Sequence, residues 1–387
     1  MKGKTSKPHI RVTRLELENW KNFSRATMDL SVRAFLVGPN ASGKSNLLDA
    51  LRFLKDLARQ GGGLQEAVAT RGGMSAIRCL AARRAPAVRM EVQLGDNEEP
   101  ARWTYEIAFN ADKDLKRPAV DHEIVRQGNR EVLRRPLAED RSDRTLLTQT
   151  HLEQISANRK FREIAGFLAS IQYRHLVPQI VREPERWRSR QLDPFGGDFL
   201  QVVADTSPRT RGARLKRIAK ALKIAAPQLS DLELVLEKGT PHIRGRYEHW
   251  RPRGAWQDEQ QFSDGTLRLL GLLWTLLEKG GSLLLEEPEL SLHPEIVRHI
   301  PQLLHRMQRS SHRQALVSTH SANLLADDGI GLDEVFLLIP EREGTSVRTP
   351  GDFAEIPHLL EGGMTLGEAV LPRTAPQLAE QLPLDFT

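Results

Sequence analysis

The chain has 387 residues, and none of its segments approaches the roughly 20 consecutive apolar residues that a membrane span requires. The one cysteine, Cys79, excludes an internal disulfide and a multi-cysteine metal site, so we expect a cytoplasmic protein with no membrane partner. The net charge is +6, and residues 151–260 hold all of the excess, with 20 Lys and Arg against 13 Asp and Glu. Clustered basic charge is typical of a protein with an anionic partner such as DNA, and equally of a solvated arginine-rich face.

The predicted elements begin with strands over residues 9–37, where apolar and polar residues alternate. A continuous apolar run closes this segment, and leucines at helical spacing follow from Lys44 onward. Between strand and helix lies a glycine-rich loop, which consists of Gly38, Pro39, Asn40, Ala41, Ser42, Gly43, Lys44 and Ser45. This order predicts a phosphate-binding loop, in which backbone N–H groups and Lys44 bind the phosphates of ATP and Ser45 offers a hydroxyl to Mg²⁺.

The middle of the chain is predicted to contain strands first and helices later. Alternation predicts strands at 87–94 and 103–109, and a hairpin over 121–135 that turns near Gly128. Residues 145–225 are predicted to be mainly helical, and further strands come after them. The basic candidates for nucleic-acid contact lie in this part of the chain and are Arg186, Arg188, Arg190, Arg214, Lys216 and Arg217.

The apolar part of the chain begins near residue 258 and opens with a helix over 266–277 that is hydrophobic on nearly every side. Ser263 or Asp264 is the predicted N-cap of this helix. A helix N-terminus that presents a serine hydroxyl and a glycine N–H can also bind an anion. Ser263 and Gly265 are therefore candidate phosphate ligands.

Two buried strands with a helix between them follow, and this alternation predicts a largely parallel sheet covered on both faces. The first strand ends in Glu286 and Glu287, whose side chains point to opposite faces. We therefore expect Glu286 to hold Mg²⁺ and Glu287 to orient or deprotonate the attacking water. The second strand ends before His320, at the edge where open α/β sheets bind ligands. Pro301 is expected to kink or split the intervening helix.

Together these motifs resemble those of the ABC-type ATPases of the RecF/SMC and OLD class, which include stand-alone bacterial ATPases. The resemblance covers residues 9–110 and 258–340 well and the middle of the chain poorly. The matched motifs, in the order of that class, are an opening strand with an N-F turn (15–23), Walker A (38–45), the signature (262–266), Walker B (283–287), the D-loop (290–294) and the histidine switch (318–321).

The resemblance implies an α/β fold, namely an ABC-type P-loop ATPase head with a mixed, largely parallel sheet flanked by helices and an antiparallel β subdomain. We expect this head to comprise residues 1–140 and 258–345, with a basic, partly helical lobe inserted at 141–257. A short tail at 346–387 has little periodicity beyond a weak helical pattern at 373–381.

In that class two subunits sandwich two ATP molecules, so the resemblance implies a homodimer or a higher oligomer. Ser263 and Gly265 of one copy would contact the γ-phosphate held by Lys44 of the other copy. His320 would sense the same phosphate.

The chain departs from the class at three motifs. Its signature reads Ser-Asp-Gly-Thr in place of Ser-Gly-Gly-Gln, and Glu286 stands where aspartate is commoner. The glutamine lid of the class has two candidates here, Gln93 and Gln172.

The spacing of the motifs bears on the type of ATPase. Ser45 and Ser263 are 218 positions apart, too far for a transporter ATPase subunit of ordinary layout, and the intervening segment lacks the heptads of an SMC arm. Only 66 residues follow Ser321, without an acidic cluster suited to two metals, so we expect no nuclease domain. We favour an ATP-hydrolysing sensor or scaffold in a nucleic-acid-linked process that works with a separately encoded effector protein. The family resemblance implies that this process is bacterial anti-phage defence. The alternatives are a RecF-like DNA repair or replication ATPase and an ABC transporter ATPase subunit.

Overall fold

The computed structural model describes residues 9–81, 87–183, 193–248, 255–375 and 381. The strands are β1 (Arg11–Trp20), β2 (Phe23–Asp29), β3 (Arg33–Val37), β4 (Val88–Gly95), β5 (Trp103–Asp112), β6 (Arg117–Gln127), β7 (Arg130–Arg135), β8 (Gln172–Arg174), β9 (Leu229–Glu237), β10 (Thr240–Tyr247), β11 (Ala255–Asp258), β12 (Leu283–Glu286), β13 (Ala315–Thr319), β14 (Val335–Glu341) and β15 (Gly344–Arg348). The α-helices are α1 (Lys44–Ala58), α2 (Leu64–Ala69), α3 (Met74–Ile77), α4 (Ala138–Ser142), α5 (Arg162–Ala169), α6 (Pro178–Arg182), α7 (Phe199–Asp205), α8 (Pro208–Ala225), α9 (Asp264–Leu277), α10 (Pro294–Val297), α11 (Ile300–Ser311), α12 (Glu355–Glu361) and α13 (Leu366–Thr374). Within these ranges, no helix is long and apolar enough to cross a membrane.

The central sheet has the strand order β15-β14-β3-β13-β12-β8. All of its neighbouring pairs are parallel except β14 with β15. Every residue of β3 and β13 is buried, which explains why both strands read as continuous apolar runs. The edge strand β8 comes from the middle of the chain and pairs with β12, which places Tyr173 beside Leu284. The α/β class expected from the sequence is confirmed.

A second sheet is antiparallel, with the order β2-β1-β4-β5-β6-β7. Its last hairpin turns after Gln127, as the sequence predicts. Helix α1 lies between the two sheets, because its apolar residues share one core with residues of both, such as Tyr105 and Leu316. Phe53 of α1 stacks on Phe109 of β5 with ring centroids 5.1 Å apart. Packing on both sides thus fixes the helix that follows the glycine-rich loop.

The opposite face of the central sheet is covered by C-terminal helices. Helices α10 and α11 are separate, and Pro301 occupies the first turn of α11, so the expected split at this proline is confirmed. Beyond the sheet, α12 and α13 pack on the same core. Helix α13 ends at Thr374, and most of the segment expected to be weakly helical, 373–381, lies outside the described residues. The helix lies where Thr365 supplies an N-cap, hydrogen-bonded to the Glu368 N–H.

The third sheet, β11-β10-β9, packs with α7, α8 and α9 around a separate core. Helix α8 buries Leu215, Ile218 and Leu222 on one face and carries basic residues on the other. Helix α9, which begins in the signature segment, therefore packs in the same core as the basic helix α8.

Gln314 connects the central and antiparallel sheets through a side chain that is 2% exposed. Its amide donates to the Val12 and Ser31 carbonyls at 2.6 and 2.8 Å, and its oxygen accepts from the Val12 N–H at 3.1 Å and the Ser282 hydroxyl at 2.7 Å. Replacing Gln314 with leucine is expected to lower the free energy of unfolding by about 3 kcal/mol, because these buried groups lose their partners. Urea denaturation measures this change.

The matched control is Gln302→Leu, at an exposed position of α11. A change of at most about 0.5 kcal/mol is expected there. Equal losses in the two variants would show that the Gln314 network contributes nothing specific to the junction of the sheets.

Candidate functional site

The loop at 38–45 runs from the end of β3 into the first turn of α1. Gly43 has a φ of 99°, and a Cβ added there would lie 2.2 Å from the Asn22 side chain. A Cβ at Gly38 would lie 2.8 Å from the Leu338 carbonyl oxygen. Both positions therefore require glycine, and the loop is held close to its neighbours with its backbone available to a ligand.

Asn22, in the turn between β1 and β2, holds this loop from the side. Its amide donates to the Ser42 carbonyl at 3.0 Å and to the Thr345 hydroxyl at 2.7 Å. Its oxygen accepts from the Asn46 amide at 2.7 Å. A side chain of the antiparallel sheet thus joins the loop, α1 and β15.

Lys44 is buried, and its ammonium group donates to the carbonyls of Gly38 and Pro39 at 2.8 and 3.0 Å. Its Nζ also lies 3.8 Å from Glu287 Oε1. Burial lowers the pKa of Lys44, whereas the carboxylates of Glu287 and Glu289 oppose that shift. The cation is therefore poorly solvated and directed at the loop interior, where a phosphate chain would replace the lost solvation.

Glu286 ends β12 beside the start of α1, and its carboxylate accepts hydrogen bonds from the Ser45 hydroxyl and the Tyr173 hydroxyl. Burial, and then the charge of Glu286, raise the pKa of Tyr173 far above its usual range, so it remains a donor. His175 Nδ1 lies 3.2 Å from the Glu286 carbonyl oxygen. A serine hydroxyl in contact with a carboxylate fits Mg²⁺, which is typically held by one or two carboxylates together with substrate phosphates and water.

Glu287 follows in a left-handed conformation with a φ of 41°. Its N–H donates to the Ser318 carbonyl at 3.1 Å, which fixes this turn against the end of β13. The carboxylate oxygen Oε1 lies 3.1 Å from His320 Nδ1 and 3.8 Å from Lys44 Nζ. Segments that are distant in sequence therefore bring a lysine, a carboxylate and a histidine to one point at the carboxyl edge of the sheet.

Glu289 is a buried carboxylate that the sequence patterns did not single out for a role. It accepts from the Thr319 hydroxyl at 2.6 Å and from the His320 N–H at 3.4 Å. Burial raises the pKa of Glu289, and Oε2 has no hydrogen-bond partner among the described residues. Its contacts place it as a support for the loop that carries His320.

The signature segment begins α9. Ser263 is the N-cap, and its hydroxyl oxygen accepts from the Thr266 N–H at 3.2 Å. Asp264 pairs with Arg182 at 2.7 Å, and a Cβ at Gly265 would lie 2.6 Å from the Ser291 carbonyl oxygen of the D-loop. Across the described part of the chain, no hydrogen bond or ion pair joins Ser263 or Gly265 to the loop at 38–45.

The two glutamine-lid candidates lie away from this edge. Gln93 is in β4 of the antiparallel sheet. Gln172 pairs with Leu283 at the start of the parallel strands, and its oxygen accepts from Arg313 at 2.6 Å. His175, three residues later, is the side chain that reaches the carboxyl edge beside Glu286.

The candidate nucleic-acid contacts are only partly described. Arg186, Arg188 and Arg190 lie outside the described residues. Lys216 and Arg217 are exposed on α8. Arg214 is half-buried, with its guanidinium 5.1 Å from the centroid of the Trp274 ring, so it packs against α9.

Residues 33–326 match the family described as "AAA domain, putative AbiEii toxin, Type IV TA system". The chain belongs to this AAA family. The match spans the loop at 38–45, the signature segment, Glu286, Glu287 and His320. No protein with a curated description matches the sequence.

Solved structures with a similar fold include heads of Smc proteins. An Smc head bound to the C-terminal winged-helix domain of ScpA is 15% identical with a TM-score of 0.52, over 93% of this chain and 99% of that one. An Smc head with an extended coiled coil, bound to the C-terminal domain of ScpA derived from Pyrococcus furiosus, is 13% identical with a TM-score of 0.52, over 91% and 100% of the two chains. This AAA protein therefore has the fold of an SMC-like P-loop ATPase head.

Proposed function

We propose that this protein hydrolyses ATP with Mg²⁺ at a site completed by a second copy of the chain. The observation that carries the proposal is the convergence of Lys44, Glu287 and His320 at one edge of the central sheet. Lys44 and the loop N–H groups bind the β- and γ-phosphates. Ser45 and Glu286 hold Mg²⁺, which supplies charge neutralisation of the phosphates during transfer.

Glu287 is the proposed general base. Its Oε1 lies between the Lys44 ammonium and the His320 ring, where a water in line with the γ-phosphate can be oriented. His320 positions this carboxylate through the 3.1 Å contact, and Glu289 supports the backbone of His320. In the reaction, the water oxygen bonds to the γ-phosphorus and its proton passes to Glu287. The bond between the γ-phosphorus and the β–γ bridging oxygen breaks, which releases ADP.

The signature segment lies apart from the loop at 38–45 of its own chain, which supports a site that a second copy of the chain completes. Ser263 is an exposed serine at a helix N-terminus, a position that favours an anion, yet it has no contact with the loop of its own chain in the described residues. In the proposed dimer, Ser263 and Gly265 of one copy contact the γ-phosphate bound by the other. ATP then holds the two copies together until it is hydrolysed.

A mixing experiment tests this arrangement. Lys44→Ala and Ser263→Arg copies are each expected to be inactive, because every site in either homodimer lacks one essential part. In a mixture, each hybrid dimer has one site with an intact Lys44 and an intact Ser263, so it is expected to regain about half of the activity of a wild-type dimer. Random 1:1 mixing makes about half of the dimers hybrid, so the mixture as a whole is expected to regain about a quarter of the wild-type activity. Phosphate release assays on the separate and mixed proteins measure this.

The matched control mixes Lys44→Ala with Glu287→Gln. Both residues belong to the part of the site that a single copy supplies. One site of that hybrid keeps Lys44 but lacks Glu287, and the other lacks Lys44, so no activity is expected. Recovery in both mixtures, or in neither, would contradict completion of the site by a partner.

The biological role proposed is a sensor or scaffold in bacterial anti-phage defence, coupled to a separately encoded effector and to nucleic acid. The family description, which names a toxin of a type IV toxin–antitoxin system, supports the defence setting. Two Smc heads of similar fold are bound to a domain of the partner protein ScpA, which supports the idea that such a head docks a second protein. Copurification with products of neighbouring genes tests the effector, and recovery of no second protein under ATP-bound conditions would contradict it.

A further inference from the structure

A groove of about 1030 Å³ lies beside the nucleotide loop, and most of its lining residues have no part in the proposed hydrolysis. One wall is the polar face of α1, from Ser45 to Arg59, and the other includes α2 and the turn at Phe195. Its floor is formed by β8, including Tyr173 and Arg174. The groove is therefore continuous with the Mg²⁺ side of the loop at Ser45.

The wall formed by α1 and β8 carries cations with weak pairing. Lys55 makes no hydrogen bond or ion pair through its ammonium group with any described residue. Arg52 lies 3.7 Å from Asp49, and Arg174 lies 3.5 Å from Glu278, both longer than hydrogen bonds. Like charges one turn apart on a helix repel each other, and a partly buried cation without a counter-charge is unfavourable.

Burial lowers the pKa of Lys55, and the neighbouring charges of Arg174, Arg52 and Arg59 act in the same direction against the opposing effect of Asp56. The lysine is thus placed in an environment that disfavours its own charge. A bound anion would remove this penalty.

Acidic residues of the groove do not neutralise this wall, because most have other partners. Asp49 and Asp56 both bind Arg71 at 2.9 Å, and Lys21 lies 2.6 Å from Asp49. Asp193 accepts from the N–H groups of two residues in its own turn, both at 3.0 Å. The uncompensated charge of the α1 and β8 wall is consequently positive.

A short series of contacts links the groove to the proposed metal ligand. The Arg52 guanidinium lies 4.3 Å from the centroid of the Tyr173 ring, a cation–π contact. The Tyr173 hydroxyl donates to the Glu286 carboxylate, which also accepts from Ser45. An anion that binds Arg52 would compete with its contact to Tyr173, and therefore change how Glu286 is held.

We propose that this groove is a second phosphate site, which binds a phosphate-bearing ligand through Lys55, Arg52 and Arg174 and transmits its occupancy to Glu286 through Tyr173. The groove volume of about 1030 Å³ exceeds what one phosphate fills, and three neighbouring cations suit several phosphates in a row, as in a nucleic-acid strand or a free oligophosphate. Binding does not depend on the proposed ATP hydrolysis, whereas the effect on Glu286 rests on that function.

The binding experiment uses the full chain with Lys44→Ala, so that the nucleotide loop does not bind the probes. The probes are a fluorescein-labelled 20-nucleotide oligothymidylate and inorganic tripolyphosphate. Adding Lys55→Glu is expected to weaken binding about 10-fold or more and to make its salt dependence less steep by about one charge. Lys113→Glu, at an exposed turn outside the groove, is the control and is expected to change affinity by less than about twofold.

The two probes distinguish the sources of phosphate. Lys55-dependent binding of the oligonucleotide alone identifies a nucleic-acid strand, and Lys55-dependent binding of tripolyphosphate identifies a free oligophosphate. Equal affinities in Lys55→Glu and Lys113→Glu would overturn the site, as would binding of polyglutamate in preference to both phosphate probes. Thermal unfolding checks the fold of Lys55→Glu, and Lys55→Gln replaces it if that variant is unfolded.

The link to Glu286 is tested by the ATPase rate with and without the bound probe. Tyr173→Phe is expected to keep the affinity for the probe within about twofold and to lose the probe-dependent change in rate. A change in rate equal to that of the wild type would overturn the link. If the wild type hydrolyses no ATP, the binding experiment in the Lys44→Ala background still decides whether the phosphate site exists.

Discussion

Glu287→Gln is expected to lower the rate of ATP hydrolysis by about 10²–10⁴-fold, since the amide cannot accept a proton from the attacking water. Affinity for ATP is expected to remain, because Lys44 and the loop N–H groups are unchanged. The side chain keeps its size and its oxygen near His320 Nδ1, which lies 3.1 Å away in the wild type. Single-turnover phosphate release measures the rate, and gel filtration with ATP measures whether the dimer accumulates.

The control for loss of a negative charge after β12 is Glu295→Gln. Glu295 is an exposed carboxylate in the first turn of α10. Its rate is expected to match the wild type within about twofold. An unchanged rate in Glu287→Gln would show that another group activates the water, and the role given to Glu287 would be wrong.

Gly43→Ala is expected to weaken ATP binding about 100-fold, by about 2.7 kcal/mol. Its φ of 99° disfavours any side chain, and the new Cβ would lie 2.2 Å from the Asn22 amide. Because Asn22 also binds the Ser42 carbonyl, relief of this clash requires the loop to move. The N–H groups that cradle the phosphates then lose their common direction. Titration of a fluorescent ATP analogue measures the affinity.

The variant Gly61→Ala separates the effect of backbone strain from the effect of the clash with Asn22. Gly61 also has a positive φ, 73°, but a Cβ there would meet no atom within 4 Å. Backbone strain alone is expected to cost this variant about 1 kcal/mol of stability and to leave ATP affinity unchanged. Equal loss of ATP affinity in both variants would contradict the role of Asn22 as the support of the loop.

Much of the fold followed from local pattern. The strand, loop and helix around Lys44, the hairpin that turns after Gln127 and the split at Pro301 are all present in the structure. These features depend on neighbours along the chain, that is, on alternation, helical spacing, glycine and proline.

Several residues of the site were not predicted because their roles arise from long-range pairing. Tyr173 reaches Glu286 only because β8, three residues long, pairs with β12. A strand so short carries almost no periodic signal, and the sequence offered Gln172 of the same segment only as one of two candidates for the glutamine lid. Glu289 likewise gains its partners from β13, which follows it by some 30 positions.

The sequence by itself identified a glycine-rich loop and, far from it along the chain, a pair of glutamates. It could do so because a glycine-rich turn between a strand and a helix, and two glutamates after three leucines, are contiguous patterns. Tertiary structure alone decided that Lys44, Glu287 and His320 meet, that Asn22 supports the loop, and that Lys55 faces a groove in which its ammonium group has no ion pair with a described residue. Parallel strand order brings the ends of β3, β12 and β13 to one edge, and no local pattern encodes that order.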